Sequence, residues 1–530
     1  MRLSRRTVLG GAAALAAPLA APRIAAAQGS RVLKFVPHAD LTIVDPSWSA
    51  SYITRNHAML AFDTLFGTDN AGAVSHQMLD GHTIENDGKT WRLTLREGLK
   101  FHDGEPVRAR DAVASIARWG RRDNFGRTVM AVSEEMTAPD DRTIVIRLKR
   151  PFALLSAALG KPGSSVCAIM PERLANQDPA KPITEVVGSG PYRFVAGERV
   201  VGARVVYARN EAYVPRQGGT PSFTAGPKIV HFDRVEWHII PDQGTAAAAL
   251  QAGEVDWWEN PSADLFPVIR GNARLTLAPH DKTGFMGFMR LNHASAPFNN
   301  PAIRQALFGA IDQEDFMQAV TGDDPKLRHT PIGYFCPSSP MANDAGMAAF
   351  TSRRDMAAVK AAITAAGYKG EKVVVLIPSD VPSLKSIAEV GADTLKRAGL
   401  NVDAQFMDWG TLVQRLTRVE VGDQGGWNVY HSYWSGVDQW DPAVNASLRT
   451  LGRAGSAGWP DSPKMEAMRD EWLAAAGLDE QKRIAREIQA EAFKVVPYIP
   501  LGQMFAPMAY KKELVGVLDG YSLFWNVRRG

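Results

Sequence analysis

Residues 372 to 433 alternate between strand-like and helix-like segments, and this alternation constrains the fold more than any other feature of the chain. Apolar strand-like runs occupy 373–377, 402–407 and 427–433, and helical patterns occupy 382–398 and 412–419. Strands joined by helices need crossover connections, which are right-handed and set the strands parallel. The pattern therefore predicts an α/β fold with a mainly parallel sheet in the second half.

The first half has a different, mixed pattern. Strands are predicted at 31–37, 91–95, 144–148, 235–239 and 255–257, and helices at 108–119 and 246–252. Asn300 and Pro301 are a typical N-cap and first residue of a further helix, and two more helices are predicted at 463–475 and 480–495. The tail from Tyr498 to Met504 is again strand-like. If this tail returns to the lobe formed by the first half, the chain crosses twice between two lobes. The two crossing segments would then act as a hinge.

The first 27 residues have the pattern of a targeting segment. Arg5 and Arg6 form a twin-arginine motif, an apolar run follows to about Ala21, and Ala25–Ala27 offers a cleavage site before Gln28. The apolar run is shorter than the roughly 20 residues that a spanning helix needs, and no cysteine lies near the cleavage site. We therefore expect a cleaved twin-arginine signal peptide over 1–27 and a soluble periplasmic product without a lipid anchor.

The charge balance argues against nucleic-acid binding. The chain has 60 basic and 56 acidic residues, but residues 1–27 contain four arginines and no acid. Removing those four leaves 56 basic residues against 56 acidic ones, so the predicted mature protein is formally neutral. A nucleic-acid-binding protein usually has a strongly basic face, which this composition does not indicate.

No motif indicates catalysis, a metal or a cofactor. The segment from Asp87 to Thr90 contains Gly-Lys-Thr but lacks the earlier glycine of a phosphate-binding loop, so it is interpreted as a β-turn. No nucleophile elbow, dinucleotide fingerprint or Cys/His metal spacing is present. Cys167 and Cys336 are the two cysteines; they form either a disulfide or a buried free pair. The sequence therefore predicts a protein that is not an enzyme.

Several phrases occur in an order that is similar to a known family. They are VDP at 44–46, FDTLFGTDNAGAVSHQML at 62–79, DGKTWRLTLREGLKFHDGEPVRARDAV at 87–113, VGSGPYRF at 187–194, LQAGEVDWW at 250–258, FNNPAIRQALFGAID at 298–312, AGLNVDAQFMDW at 398–409 and PYIPLG at 497–502. With them, the chain resembles the extracytoplasmic solute-binding proteins of ABC importers, family 5, which includes dipeptide-, oligopeptide- and nickel-binding members. The similarity spans nearly all of the predicted mature chain.

The resemblance implies a bilobal periplasmic-binding-protein fold, with two α/β lobes, a hinge and an extra subdomain inserted in the first lobe. The expected divisions are the signal peptide at 1–27, lobe I at 28–59 and 186–283, the inserted subdomain at 60–185, lobe II at 284–495, and a C-terminal return to lobe I at 496–530. It further implies that the lobes close around a solute and deliver it to a membrane permease with its ATPase. We expect a monomer with no cofactor.

The segment YHSYWSGVDQWDP at 430–442 gathers four rings, two aspartates and a histidine. Its first residues end the predicted parallel strand 427–433, and Trp434–Pro442 lies just past the carboxyl end of that strand, where ligands of open α/β sheets bind. Rings and acids can share such a segment because a ligand covers the rings. In peptide-binding relatives, an aspartate in a similar W-x-G-D segment holds the α-amino group of the peptide. In this sequence Val437 occupies the position of that aspartate, and Asp438 is the next residue. If the loop is longer by one residue than in these relatives, Asp438 takes the position that binds the α-amino group.

The candidate ligand-binding residues are Tyr52, Trp409, Tyr433, Trp434, Ser435, Asp438 and Trp440. Each also has a structural interpretation: Asp438 as a loop acid or helix cap, the tryptophans as core residues, and Tyr433 as the closing residue of the strand. Asp441 is predicted to cap a turn and His431 to lie in the core rather than bind a metal. A buried ammonium group needs a charged partner, which favours Asp438 as a ligand contact.

The sequence thus predicts the solute-binding component of an ABC importer that carries a short peptide or an amino-acid-derived solute. An alternative is the same scaffold binding an oligosaccharide, which the tryptophans could stack on, an opine-like compound or a metal chelate. A periplasmic enzyme or chaperone is the alternative of another class, and no motif supports it.

Overall fold

The structure is a computed structural model that describes residues 31–352, 354–420 and 425–530, so the predicted signal peptide lies outside the described residues. The chain forms two lobes, each built on its own large β-sheet. In spatial order, the first sheet consists of Leu275–Ala278, Met508–Lys511, Trp257–Trp258, Val32–Val36, Arg234–His238, Arg204–Arg209 and Tyr192–Phe194. The helices of this lobe and its inserted subdomain are Tyr52–Ala61, Ala109–Gly120, Asn124–Val132, Leu155–Leu159, Glu172–Ala175, Gln243–Ala252 and Phe266–Arg270.

The centre of the first sheet is parallel and aromatic. Val32–Val36 pairs in parallel with Arg234–His238 on one side and Trp257–Trp258 on the other. Phe35 packs edge-on against Trp257 and against Phe524 near the C-terminus, with ring centroids 5.4 and 4.9 Å apart. Aromatic residues bury large apolar areas, so the C-terminal segment becomes part of the core of this lobe.

A four-stranded antiparallel sheet forms the inserted subdomain. Its spatial order is Leu79–Glu85, Thr90–Leu95, Thr143–Leu148 and Ser133–Thr137. The two strands predicted from alternation pair directly, with Leu93 opposite Ile144. The Gly-Lys-Thr segment forms the predicted turn, since Asp87 and Gly88 both have positive φ angles of 52° and 83° and the Lys89 N–H donates to the Asn86 carbonyl.

The second sheet has six strands in the order Arg328–His329, Ile499–Met504, Phe285–Leu291, Val429–Ser435, Lys372–Pro378 and Asn401–Met407. The prediction of a mainly parallel sheet is wrong outside the last three of these strands. Those three pair in parallel, as predicted, but the other pairings are antiparallel. Strand Phe285–Leu291 leaves the first lobe and runs away from it, whereas its two neighbours run back towards it. Hydrophobic periodicity carries no information on strand direction.

The second lobe contains the five predicted helices, with ends shifted by up to four residues, and three helices that were not predicted, Gln313–Thr321, Ala348–Thr351 and Met356–Ala365. In chain order, the helices of this lobe are Pro301–Ala306, Gln313–Thr321, Ala348–Thr351, Met356–Ala365, Pro382–Arg397, Trp409–Arg415, Pro463–Ala474 and Leu478–Val495. Asn300 acts as the predicted N-cap, because its side chain accepts a hydrogen bond from the Ala302 N–H.

Two connections join the lobes. The chain leaves the first sheet at Ala278 and enters the second at Phe285, and it leaves the second sheet at Met504 and re-enters the first at Met508. The strand Ile499–Met504 therefore pairs within the second lobe, although the sequence analysis placed residues 496–530 in lobe I. We propose 279–284 and 505–507 as the hinge segments, with the return to lobe I beginning after them.

Two glycines fix the position of helix Tyr52–Ala61. A Cβ atom at Gly188 would lie 2.0 Å from the Ala61 carbonyl oxygen, and one at Gly190 would lie 2.6 Å from the Leu60 carbonyl oxygen. Only glycine permits so close an approach. The motif VGSGPY therefore holds the end of the helix whose first residues reach the second lobe.

Cys167 and Cys336 are both buried and do not form a disulfide. Of the two predicted alternatives, the structure has the buried free thiols. Within the described residues, no helix is both long enough and apolar enough to cross a membrane.

Candidate ligand-binding cleft

The segment singled out in the sequence lies where the two lobes meet. Strand Val429–Ser435 ends beside its parallel neighbours, and a short 3-10 helix, Gly436–Gln439, follows it. We call this short helix the cleft turn. Because parallel strands end at the same edge of a sheet, the segments after Pro378 and Met407 share this edge with the cleft turn. The edge faces the first lobe.

Asp438 in the cleft turn is bonded to the opposite lobe. Its Oδ2 accepts a hydrogen bond from the Tyr52 hydroxyl at 3.0 Å, and its Oδ1 accepts from the Ser164 N–H at 2.9 Å and the Ser164 hydroxyl at 3.0 Å. Gly163 leaves the space for this contact, since a Cβ atom there would lie 2.2 Å from Oδ1. Asp438 is 6% exposed. The carboxylate therefore links the two lobes.

Tyr52 connects the same two lobes through a second bond. Its hydroxyl oxygen accepts from the Ser435 N–H at 2.6 Å while it donates to Asp438. Burial, together with the charge of Asp438, raises the pKa of Tyr52 well above its ordinary value. The phenol thus stays protonated at any physiological pH and remains a donor to the carboxylate.

Aromatic rings surround Tyr52. Trp434 meets it edge-on with centroids 6.4 Å apart, and Phe285 lies at 5.8 Å. Tyr433 packs on Phe285 at 5.0 Å. These side chains are half-buried, which is typical of rings that line a cleft between lobes. Four predicted site residues of this strand end and its turn, Tyr433 to Ser435 and Asp438, therefore lie around Tyr52.

The remaining predicted residues have other surroundings. Trp440 packs beside Met286 and Cys336 of its own lobe, and a Cβ atom at Gly72 of the first lobe would lie 3.2 Å from its ring. Trp409 opens helix Trp409–Arg415 and donates its backbone N–H to Asp380. No ring contact or hydrogen bond among the described residues joins Trp409 to Tyr52.

Asp441 and His431 have the structural roles that were predicted. Asp441 caps a turn, because its Oδ1 accepts from the N–H groups of Ala443 and Val444. His431 is fully buried in the lobe, and neither ring nitrogen has a hydrogen-bond partner in the part of the chain that the structure describes. Burial lowers the pKa of His431 to about 3, so the ring is neutral.

Other contacts across the lobes show that this conformation is closed. Arg469 of the second lobe donates to the Thr128 hydroxyl of the inserted subdomain at 3.3 Å, and Arg270 of the first lobe pairs with Asp324 of the second at 2.6 Å. The Arg270–Asp324 pair is partly exposed, and exposed pairs contribute at most about 1 kcal/mol. The buried bonds of Asp438 therefore contribute more to closure.

Glu259 is an acidic group on the first-lobe side of the cleft that was not among the predicted site residues. Glu259 follows strand Trp257–Trp258 and accepts from the Asn56 amide at 2.7 Å, the Ser522 hydroxyl at 3.0 Å, and both the N–H and the ring of His38. Burial alone would raise the pKa of Glu259, but His38 and Ser522 outweigh it and lower the pKa to about 2. Glu259 is thus a saturated carboxylate.

Two further residues on the first-lobe side were also missed. Arg55 projects from helix Tyr52–Ala61 between the rings of Tyr52 and Tyr521, with its guanidinium carbon 4.6 and 3.6 Å from their centroids. Both Arg55 and Tyr521 are buried. From a single sequence, a charged residue inside a helix is predicted to be solvent-exposed. No local signal therefore distinguishes Arg55 from the exposed arginines.

The comparison with protein families identifies the chain's relatives. Residues 73–456 match the family described as bacterial extracellular solute-binding proteins, family 5 Middle. Over 535 residues, which cover all of both chains, the sequence is 35% identical to the "Probable peptide ABC transporter periplasmic-binding protein y4tO" of Sinorhizobium fredii. The chain belongs to family 5 of the bacterial extracellular solute-binding proteins. The resemblance drawn from the sequence is confirmed, and this family 5 protein belongs to a family of binding proteins rather than enzymes.

Solved structures of similar fold support the same architecture. AgaA from A. tumefaciens R10, in complex with agropinic acid, aligns with a TM-score of 0.77 at 20% identity over 94% of this chain and 99% of that one. The dipeptide-binding protein of Pseudoalteromonas sp. SM9913, in complex with Met-Leu, aligns with a TM-score of 0.78 at 18% identity over 94% and 100%. At this identity the likeness shows the fold alone. It confirms the bilobal fold class.

Among the described residues, no group of three or more His, Cys, Asp or Glu side chains could hold a metal ion. The polar groups that meet in the cleft are instead hydroxyls, carboxylates and one guanidinium. Such groups recognise ammonium, carboxylate and amide functions through hydrogen bonds.

Proposed function

We propose that this family 5 protein captures a short peptide or an amino-acid-derived solute between its lobes and delivers it to an ABC permease with its ATPase. The observation that carries the proposal is the buried Asp438 carboxylate, held at the lobe interface by Tyr52 and Ser164. A carboxylate that is only 6% exposed favours a cationic partner, because an isolated buried charge would cost several kcal/mol.

The role of Asp438 in this proposal is to bind the ammonium group of the solute. Its three hydrogen bonds leave one of the roughly four acceptor sites of a carboxylate for another donor. A solute ammonium at that site would tie itself to both lobes, since Tyr52 and Ser164 belong to lobe I. Binding and closure would then be coupled. We further propose Tyr433, Trp434, Ser435 and Trp440 as residues that cover the bound solute, with Trp409 at the rim.

The relatives favour peptides over other solutes. The name of the 35% identical Sinorhizobium protein refers to peptide transport, and a solved structure of the same fold holds the dipeptide Met-Leu. A structure of the same fold with agropinic acid makes an opine-like solute the second candidate, as it is also an amino-acid derivative.

A thermal-shift screen of the mature protein tests this function. We expect at least one member of a di- to pentapeptide library to raise the midpoint of unfolding, because a ligand that binds only the folded state stabilises it by mass action. Parallel arms should contain opine-like compounds, oligosaccharides, and nickel with small chelators. Stabilisation by the saccharide or nickel arm alone would overturn the proposal.

We also propose that the protein is exported to the periplasm by the twin-arginine route and works there as a monomer without a lipid anchor. The leader over 1–27 supports this proposal. Replacing Arg5 and Arg6 together by lysine should leave the precursor in the cytoplasmic fraction, and light scattering on the mature protein should give the monomer mass. Continued export of the double variant would contradict the assigned route.

A further inference from the structure

Arg55 is a buried cation that lacks the partners a guanidinium needs. The residue is 3% exposed. Within residues 31–352, 354–420 and 425–530, its one hydrogen bond runs from Nη2 to the Asn56 side-chain oxygen at 3.3 Å, while Nε and Nη1 are buried and have no partner. Those two nitrogens carry three of the five N–H donors of a guanidinium. An unpaired buried donor, above all a charged one, is strongly unfavourable.

Other buried cations of the first lobe are paired. Arg118 forms a 2.6 Å ion pair with Asp45, and Lys228 forms one of 2.7 Å with Asp63. Both cations lie inside the lobe, away from the second sheet. Arg55 differs from them in its position, because it stands one helical turn after Tyr52 at the lobe interface.

The rings beside Arg55 hold it in place without using its N–H groups. The guanidinium carbon of Arg55 lies 3.6 Å from the ring centroid of Tyr521 and 4.6 Å from that of Tyr52, a cation–π arrangement. The N–H groups lie in the plane of the guanidinium and stay free for an acceptor. A guanidinium that two rings hold in place, and whose Nε and Nη1 have no partner among the described residues, is suited to bind an anion.

Two hydroxyl groups around Tyr52 and Tyr521, the two rings that contact Arg55, are also without partners among the described residues. The Tyr521 hydroxyl, on the ring that covers Arg55, is buried and makes no hydrogen bond. The Ser435 hydroxyl, in the residue whose N–H donates to Tyr52, is likewise buried and unpaired. The interface around Tyr52 thus gathers a cation and two hydroxyl donors that the protein itself does not satisfy.

The nearby acids do not neutralise Arg55. Asp281 directs its Oδ1 to the backbone and hydroxyl of Thr283 and to the Gly284 N–H, and Asp438 is bonded to Tyr52 and Ser164. Neither carboxylate lies within ion-pair distance of Arg55 in the described residues. Their charges favour a cationic group beside them, so a solute that meets Arg55 with an anion and Asp438 with a cation would match the whole interface.

We propose that Arg55, with the hydroxyl groups of Tyr521 and Ser435, binds a carboxylate of the transported solute. This inference rests on the proposed function and narrows it to solutes that carry both an ammonium and a carboxylate. Carboxylate and guanidinium form the strongest class of charge-assisted hydrogen bonds in proteins, and hydroxyl donors can complete the coordination of the second oxygen.

The test compares peptides with free C-terminal carboxylates with the same peptides as C-terminal amides, by calorimetry on the mature protein. The wild type should bind the acids roughly 10- to 100-fold more tightly than the amides, which corresponds to loss of a hydrogen bond to a charged group. The Arg55→Gln variant should bind the acids more weakly than the wild type by a similar factor, and its affinity for the amides should change little. Arg92→Gln, at an exposed arginine of the inserted subdomain, serves as the matched control and should bind like the wild type.

The outcomes separate this inference from the function on which it rests. Equal affinity of the wild type for acids and amides overturns the carboxylate site and leaves peptide binding intact; this comparison needs no variant, so it holds even if Arg55→Gln fails to fold. An Arg55→Gln protein that keeps the preference for acids also overturns it. Absence of binding by every acid and amide overturns the proposed function, and the carboxylate site with it.

Discussion

In the interior of the first lobe, Asp63 and Lys228 form an ion pair of 2.7 Å that is complete within that lobe, whereas at the cleft Asp438 receives its hydrogen bonds from the opposite lobe. Both carboxylates are buried, but they are stabilised under different conditions. The Asp63 pair persists when the lobes separate. The bonds of Asp438 exist only while the lobes are closed.

The difference teaches how a two-lobe protein can be both stable and mobile. Charges that are satisfied inside a lobe contribute to its folding and not to its movement. Charges that are satisfied across the cleft contribute to closure, and a charge that is not satisfied in either way, such as Arg55, is available for a solute. Variants of the two regions should therefore separate stability from binding.

The largest expected effect is that of Lys228→Met. It leaves Asp63 buried without its cation, and breaking a buried pair costs about 3–5 kcal/mol. Denaturant unfolding should show this loss in the free energy of unfolding, while calorimetry at a temperature where the variant is folded should show unchanged affinity for its peptide ligands. If the variant lost affinity and kept its stability, the ion pair inside the lobe would contribute to binding and not to folding, which would contradict the comparison.

The next effect is that of Gly163→Ala. The new methyl group would lie 2.2 Å from Oδ1 of Asp438, so the closed lobes have to move apart and the bonds from Ser164 are lost. We expect about 100-fold weaker binding and a larger radius of gyration with ligand present, measured by solution scattering, but unchanged unfolding. Gly197→Ala, where a Cβ atom meets nothing within 4 Å, is the matched control. Normal closure of Gly163→Ala would argue against the cross-lobe role of Asp438.

A smaller effect is expected from Asp438→Asn. The amide keeps the shape and, at its one oxygen, an acceptor for the two Ser164 donors, but it loses the negative charge that we assign to the solute ammonium. We expect roughly 10-fold weaker binding of peptides with a free amino group and a smaller change for N-acetylated peptides. Asp441→Asn in the same loop should bind normally, because asparagine can cap the same turn. An equal loss of affinity for free and N-acetylated peptides would contradict the assignment of Asp438 as the ammonium site.

At neutral pH the smallest expected effect concerns the interior of the second lobe, because this effect develops only in acid. Burial lowers the pKa of His431 to about 3, so below the unfolded value of about 6.5 the unfolded chain binds a proton that the folded chain does not. Stability should therefore fall as the pH drops from 6.5 towards 3, by up to about 1.4 kcal/mol per pH unit for this group.

Replacing the ring checks the assignment of this pH dependence. His431→Leu should flatten the decrease, as followed by denaturant unfolding at several pH values, and leave ligand affinity unchanged. His57 of the first lobe, whose pKa burial also lowers to about 3, remains in the variant and should preserve the rest of the decrease. An unchanged slope in His431→Leu would place the acid sensitivity elsewhere.

Much of the local structure was predictable. The helix 382–398 and the strand before it end within a residue or two of their predicted positions, because apolar spacing of 3.6 and 2 residues follows directly from helix and strand geometry. The site was predictable mainly on the second-lobe side, with Tyr52 as the predicted residue of the first lobe. The segment 430–442 was recognisable as a cleft segment since it combines rings and acids at a strand end, whereas Ser164 and Arg55 gave no signal that distinguished them from other serines and arginines.

The sequence by itself determined the secondary structure, the family and the cleft segment of the second lobe, because periodicity, turn residues and motif order are local properties of the chain. Only the tertiary structure decided that Ser164 and Tyr52 meet Asp438, from 274 and 386 residues away, and that the crossing to the first lobe comes after Met504. The physical reason is that burial and charge pairing depend on which surfaces meet, and two lobes joined by a hinge bring together residues that no spacing rule connects.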